Sequence, residues 1–242
     1  KKLKAEVLEF GINAESKLMD IHNRLKAGTW QPGHYREFLA KTEVKRRVIH
    51  APDFADRVVH MAVYRVIMPL FEKKYIHDSY ACRIGKGTWK ATQRLQYFLR
   101  VAKRQNQRVY VLKCDISKYY PSIYKPELMA EIARTIRDKN LLRLLESIYY
   151  DFNNSQRGIP IGTVTSQLAA NILLNKLDHF VKECIGAKYY LRYMDDFIII
   201  HSDKNRLKEM LRDIEWFVSA VLKLKLNPKT GIFPASQGVD FA

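Results

Sequence analysis

Residues 191–200 read LRYMDDFIII. The stretch sets two adjacent carboxylates, Asp195 and Asp196, inside a run that otherwise has the composition of a buried strand. Asp is depleted from strands, and an ionised carboxylate taken out of water needs a partner, so something positive is expected beside it. The simplest reading is a hairpin, with residues 189–193 and 197–201 as antiparallel strands and Met194 and Asp195 at the bend. Two-residue hairpin loops favour Asn-Gly, Asp-Gly or Gly-X because their central residues take positive φ. Met-Asp offers no glycine, so this turn is expected to store strain, and strain persists where a site uses it.

The rest of the chain decides what the carboxylates are for. At 242 residues and 47% hydrophobic content it can bury a core, as one large domain or two intimate subdomains. Lys and Arg number 42 against 25 acids, a net charge of +17, which points to a polyanionic partner, nucleic acid first. Residues 79–114 hold nine basic residues and no Asp or Glu, interleaved with Tyr80, Trp89, Tyr97, Phe98 and Tyr110. Basic groups among aromatics suit a phosphate backbone and stacked bases, although a solvated helix face over core aromatics has the same pattern. Cys82, Cys114 and Cys184 form no C-x-x-C pair, and the histidines lack ligand spacing, which argues against a disulfide framework and structural zinc. No apolar run is long enough to cross a bilayer and no signal peptide opens the sequence, so no membrane partner is expected. The sequence starts without Met and stops in mid-pattern, which reads as a fragment or a trimmed chain.

Apolar periodicity predicts helices from Asp53, over residues 89–104, in two stretches between Pro126 and Asp151, and over 165–183. Asp203 reads as the N-cap of an amphipathic helix carrying Leu207, Met210, Leu211, Ile214, Phe217, Val218 and Val221. VYVLKCDIS (109–117) is strand-like, and TGIFPA and GVDF near the end read as strands. From residue 109 on, insertions aside, the order is strand, helix, strand, strand, helix, strand. That is a split βαβ, ferredoxin-like order, in which the first strand and the hairpin can lie side by side. Asp115 would then approach Asp195 and Asp196. Three such carboxylates can hold two divalent cations about 3.5–4 Å apart for an in-line phosphoryl displacement. Mg2+ is the expected ion, with Mn2+ as a substitute, since it takes a few carboxylates plus substrate phosphates.

YMDD between apolar strands, with DISKYYPSI upstream, resembles a reverse transcriptase over nearly the whole chain. The resemblance implies an α+β fold, the fingers and palm of a right-hand polymerase, with the palm a ferredoxin-like βαββαβ sheet. Fingers would span 1–107, mostly helical and basic. The first palm strand would span 108–125, a helical insertion 126–157, the remaining palm 158–237, and the start of a primer grip 238–242. The thumb would be absent from this chain. Asp115 and Asp195 are then the principal metal ligands, Asp196 the auxiliary acid, and the carbonyl of Ile116 completes a metal shell. Tyr120 matches the aromatic that stacks beneath the sugar and excludes a 2′-hydroxyl, with a core aromatic as its plainer reading. KRRVIHAP places Arg47 on the incoming triphosphate, with Arg46 as its rival and Lys41 as a second phosphate contact. NPKTG places Lys229 near the leaving pyrophosphate as a general acid, or leaves it solvated in a turn. RIGKGT reads as a phosphate nest or as turn punctuation, and Arg83, Lys86, Lys90, Arg94, Tyr193 and Met194 are candidate nucleic-acid contacts.

The departure lies in RGIPIGTVTSQLAANILL. Reverse transcriptases tend to show G-x-P-Q-G followed by S-P. Here Ile161 replaces that Gln, Gly162 follows it, and Gln167 follows Ser166 in place of Pro. This block, with DSYACRIGKGT and RVVH, resembles the reverse transcriptases of diversity-generating retroelements. A lost polar contact near the nascent pair should weaken discrimination among nucleotides, and the resemblance implies error-prone copying, chiefly at template adenines. Retron, group II intron and phage-defence reverse transcriptases share most of the other motifs. The implied partners are an RNA template, a DNA or RNA primer, deoxynucleoside triphosphates and a small basic accessory protein, in a prokaryotic or phage-encoded cytoplasmic setting. Other classes in contention are a nucleic-acid-binding subunit without chemistry, an RNA-copying RNA polymerase and a metal nuclease.

Overall fold

The computed structural model describes residues 5–41 and 46–241, and of Lys41, Arg46 and Arg47 the backbone alone. Helices α1 (Ala5–Ile12) and α2 (Ala14–Ala27) lead into an antiparallel pair, β1 (Arg36–Lys41) and β2 (Arg46–Ala51). In α3 (Phe54–Glu72) the period read from the sequence buries Val59, Val63, Ile67 and Phe71. In α4 (Thr88–Gln105) it buries Ala91, Leu95, Phe98 and Ala102. β3 (Tyr110–Cys114) follows, then the single helical turn α5 (Tyr119–Ser122), α6 (Lys125–Ala133) and α7 (Lys139–Tyr150). α8 (Val164–His179) is buried on nearly all sides and ends in a π-helical turn, Phe180–Cys184. β4 (Tyr189–Tyr193), β5 (Asp196–His201), α9 (Lys204–Trp216) and β6 (Gly231–Pro234) complete the order. Asp203 caps α9 as expected, its carboxylate accepting the N–H groups of Asn205 and Arg206.

The main sheet runs β4-β5-β3-β6 with every neighbouring pair antiparallel, which is the split βαβ arrangement expected from the element order. Both of its faces are covered. Along β5, Phe197 and Ile199 face a core shared with α8 and α9, while Ile198 and Ile200 face a second core built on α4. β3 does the same, with Leu112 and Cys114 on one side and Val111 on the other. A strand buried on two faces needs no polar alternation, which is why FIII reads as an unbroken apolar run.

Two local expectations are corrected. GVDF forms no strand: Gly238 takes φ 84 after a short 3-10 turn, and the segment tucks inward to bury Phe241 in the α4-side core. Lys113 Nζ donates to the Asp240 carbonyl at 2.7 Å, so that backbone is held by a side chain rather than by a ladder. The helix expected through Val221 turns π-helical at Phe217, where Phe217 stacks on Phe180 with ring centroids 4.2 Å apart.

Candidate active site

The turn between β4 and β5 is a two-residue loop. Tyr193 pairs with Asp196, leaving Met194 and Asp195 at the bend, and Met194 takes φ 53, the left-handed conformation expected there. For a side chain with a Cβ this conformation is strained, so surrounding contacts must hold it. The holding group is Arg192. Its guanidinium, fully buried, donates through Nη1 to the Met194 carbonyl at 2.8 Å. Nε and Nη2 each reach one oxygen of the buried Asp178 at 2.7 Å, and Nη1 also reaches Asn171 Oδ1 at 3.2 Å. Tyr190, two residues earlier on the same face of β4, donates to the same carboxylate at 2.6 Å. Burial opposes the arginine's charge, and Asp178 more than offsets it, leaving the group firmly protonated. The positive partner thus grips the backbone of the turn, and its charge is balanced by Asp178 from α8.

Asp115 stands one residue beyond the last β3–β5 pair, Cys114 with Phe197, so continuing the register sets it across from Asp196. Burial pushes the Cys114 thiol well up, with Glu215, Asp196 and Asp115 adding to the effect, which keeps it protonated and inert beside the acids. Asn227 clamps Asp115 twice: its N–H donates to the Asp115 carbonyl and its amide to Oδ2, both at 2.7 Å. Its Oδ1 accepts the Lys229 N–H at 3.0 Å, which brings the Asn-Pro-Lys-Thr turn to this end of the sheet with Lys229 exposed. Ile116 forms an isolated bridge with Leu226 through its neighbours' hydrogen bonds, a pairing that does not use its own carbonyl.

Tyr120, half-buried, donates its hydroxyl to Met194 Sδ at 3.7 Å, joining the segment after Asp115 to the turn. The loop before α8 is tied to that segment and to β2: Ile159 N–H bonds the Tyr120 carbonyl at 3.2 Å, and the Ile161 carbonyl accepts His50 N–H at 2.7 Å. Gly162 has φ 120, and a Cβ there would lie 2.7 Å from Ile49 Cγ2 and 3.2 Å from the His50 carbonyl. Gly162→Ala is therefore expected to destabilise the fold by about 1–3 kcal/mol, read as a lowered midpoint in urea unfolding. Behind the loop, Thr163 caps α8 by accepting Ser166 N–H at 3.1 Å. Thr165 Oγ1 lies 2.6 Å from His60 Nδ1, and burial draws the His60 pKa down to about 4, so the ring is neutral. Gln167 opens α8, half-buried.

Asp115, Asp195, Asp196, Tyr120, Met194, Lys229, Ile161, Gly162 and Gln167 thus lie on segments that meet at this end of the sheet. Lys41, Arg46 and Arg47 lie at the far ends of β1 and β2, in backbone register, but their side chains are outside the described residues. The basic loop is where the structure differs. The Arg83 side chain is 6% exposed and turned inward, bonding Glu72, the Ile76 carbonyl at 2.8 Å and the Ser79 carbonyl at 2.7 Å, so it braces the loop from inside. Arg94 grips Asp78 through both carboxylate oxygens at 2.8 and 3.2 Å. The backbone of Asp78 and Tyr80 in turn pairs with Arg192, covering the outer edge of β4. Lys86 Nζ donates to the His77 carbonyl at 2.7 Å, and Lys90 Nζ to that of Gly85. Sequence reasoning missed Arg192, Asp178, Asn171 and Asn227. The available signal was a lone cation at an inward position of an apolar strand and a lone Asp near the end of an apolar helix.

Among the described residues no three His, Cys, Asp or Glu side chains stand grouped as a finished metal shell, and Asp115 Oδ2 is occupied by Asn227. The donor chemistry itself, carboxylate oxygens at one sheet end with the nearby thiol buried and protonated, fits a hard divalent cation. No described helix is long and apolar enough to cross a membrane.

Comparison with known proteins places these features in context. A family profile described as reverse transcriptase (RNA-dependent DNA polymerase) matches residues 39–241. The chain is 25% identical to protein YkfC of Escherichia coli K12, covering 93% of this chain and 69% of that protein. It is 24% identical to the group II intron-encoded protein LtrA of Lactococcus lactis subsp. cremoris, covering 91% of this chain and 38% of that protein. A solved structure of telomerase from Candida albicans, in complex with a fragment of telomeric RNA, shares the fold with TM-score 0.63 at 13% identity. That match covers 89% of this chain and 43% of that one.

Proposed function

The chain belongs to the reverse transcriptase (RNA-dependent DNA polymerase) family, and from that premise we propose that it extends a primer with deoxynucleotides on an RNA template at the end of its four-stranded sheet. The observation that carries the reading is the meeting of Asp115, at the end of β3, with the strained Met194–Asp195 turn in the adjacent hairpin. In this reading the sheet with α8 and α9 is the palm, and the β1–β2 pair with the basic helices is the fingers. Asp115, Asp195, Asp196 and the Ile116 carbonyl would hold two Mg2+ ions, which when bound supply charge neutralisation and an activated primer 3′-hydroxyl. Arg192 keeps Asp195 on a fixed turn, and Asn227 holds Asp115 until the site fills. Tyr120, packed against Met194, closes the sugar pocket to a 2′-hydroxyl. Arg47 or Arg46 with Lys41 neutralises the triphosphate, and Lys229 protonates the leaving pyrophosphate.

The finer reading is an error-prone enzyme of a diversity-generating retroelement, working in a bacterial or phage-encoded cytosolic setting with a small basic accessory protein. It is supported by Gln167 in the first turn of α8 and by Ile161, whose loop is pinned beside Tyr120 and β2, where an apolar side chain offers no hydrogen bond to test the nascent pair. A second reading, service in a group II intron, is favoured by the similarity to LtrA.

The deciding experiment is primer extension by the full-length protein on a purine-rich RNA template with Mg2+ and all four deoxynucleotides, followed by product sequencing. DNA whose substitutions concentrate opposite template adenine, with Ile161→Gln lowering that error rate, is expected. Accurate DNA unaffected by Ile161→Gln defeats the retroelement assignment. RNA binding with no DNA, even with candidate accessory proteins added, defeats the polymerase reading.

A further inference from the structure

The loop that Arg83 braces presents an unexpected surface. Ile84 at its tip is 76% exposed, and Trp89, in the first turn of α4, is 73% exposed. The backbone around them is unusual, with φ 53 at Cys82, 73 at Gly85 and 117 at Gly87. It is also tightly strapped. Arg83 reaches Glu72, Ile76 and Ser79; Lys86 and Lys90 bond the carbonyls of His77 and Gly85; Gly87 N–H bonds the Tyr80 carbonyl at 3.0 Å. These contacts hold two large apolar side chains out in solvent on a preorganised frame, which is how binding loops lower the cost of association.

Position and charge say what the frame meets. Thr88, between the two apolar groups, donates its hydroxyl to Tyr193, the residue before Met194, at 3.0 Å. The platform is therefore anchored to the strand that ends in the candidate catalytic turn. The surrounding residues 79–114 carry nine basic residues and no acid, and Lys90 and Arg100 are exposed on α4 itself. An anionic partner with flat apolar faces satisfies both features: a nucleic-acid strand with unpaired bases. A duplex hides those faces.

We propose that Ile84 and Trp89 form a stacking platform for an unpaired stretch of the nucleic acid that reaches the Met194–Asp195 turn, with Trp89 taking a base face. The inference rests on the polymerase reading for why a strand comes to the turn, but its binding readout is independent of chemistry. The test is fluorescence anisotropy of a labelled single-stranded RNA and of a duplex of equal length, with the full-length protein and neither metal nor nucleotides. Trp89→Ala is expected to weaken single-strand binding about 10-fold, with Trp89→Phe near wild type, since stacking needs a ring rather than an indole. Duplex affinity and the salt dependence of binding should not move, because no charge is removed. Trp89 lies outside the core, so an unchanged melting curve is the control for folding. Wild-type affinity in Trp89→Ala, or an equal loss for single strand and duplex, overturns the proposal. A Trp89 effect in a protein that never makes DNA would uphold the platform while defeating the polymerase reading.

Discussion

Arg192→Ala is expected to lower the unfolding free energy by about 3–5 kcal/mol, the cost of leaving a buried carboxylate without its cation. Asp178 and Arg192 are both fully buried, and Tyr190 would remain as the acid's hydrogen-bond donor among those described above. Against a typical total of about 5–15 kcal/mol, this is a large fraction. Urea denaturation followed by circular dichroism measures it, and a midpoint equal to wild type would refute the account of the pair. A double variant, Arg192→Met with Asp178→Leu, separates the two tasks of the arginine. Apolar replacement of a buried ion pair is often neutral or stabilising, so stability should return. The Met194 carbonyl would still lack its donor at the strained turn, so DNA synthesis should stay low. Recovery of both would mean that Arg192 serves the core alone.

Asp195→Asn should abolish synthesis while leaving folding and RNA affinity intact. The substitution keeps shape and polarity and removes one negative charge at the turn. If metal-borne charge stabilisation is worth several kcal/mol, its loss lowers the extension rate by on the order of 10^3-fold or more. Single-turnover extension, run beside an RNA-binding titration and a melting curve, gives the comparison. A parallel fall in binding and synthesis would assign Asp195 a structural role, and persistent synthesis would move the chemistry away from this turn.

Much of this site could be read from local sequence. The unbroken apolar run of β5, a period of 3.6 in α3, α4 and α9, and the Asp203 cap are local signals, because each depends on residues a few positions apart. The Met-Asp bend was legible for the same reason: turn geometry is set by the two residues that occupy it, and a positive φ at Met194 follows from the strands on either side. The end of the chain was less legible. Whether GVDF becomes a strand depends on a neighbouring backbone edge, and the burial of Phe241 against α4 decided otherwise.

The basic loop shows the limit most clearly. By composition, Arg83 and Arg94 are indistinguishable from solvated phosphate ligands, yet the fold turns both toward Glu72 and Asp78 and leaves Ile84 and Trp89 outside. Direction of a side chain is a property of the packing around it, and no window of sequence contains that packing. The same holds for the charge demanded by the opening stretch. From the residues alone came the expectation of a positive partner beside Asp195 and Asp196, and of Asp115 approaching them from a neighbouring strand. Only the tertiary structure could decide that the buried cation is Arg192, that it grips the backbone of the turn, and that its counter-charge comes from Asp178, fourteen residues away on another element. Charges separated along the chain but desolvated together interact strongly, and it is the fold that brings them together.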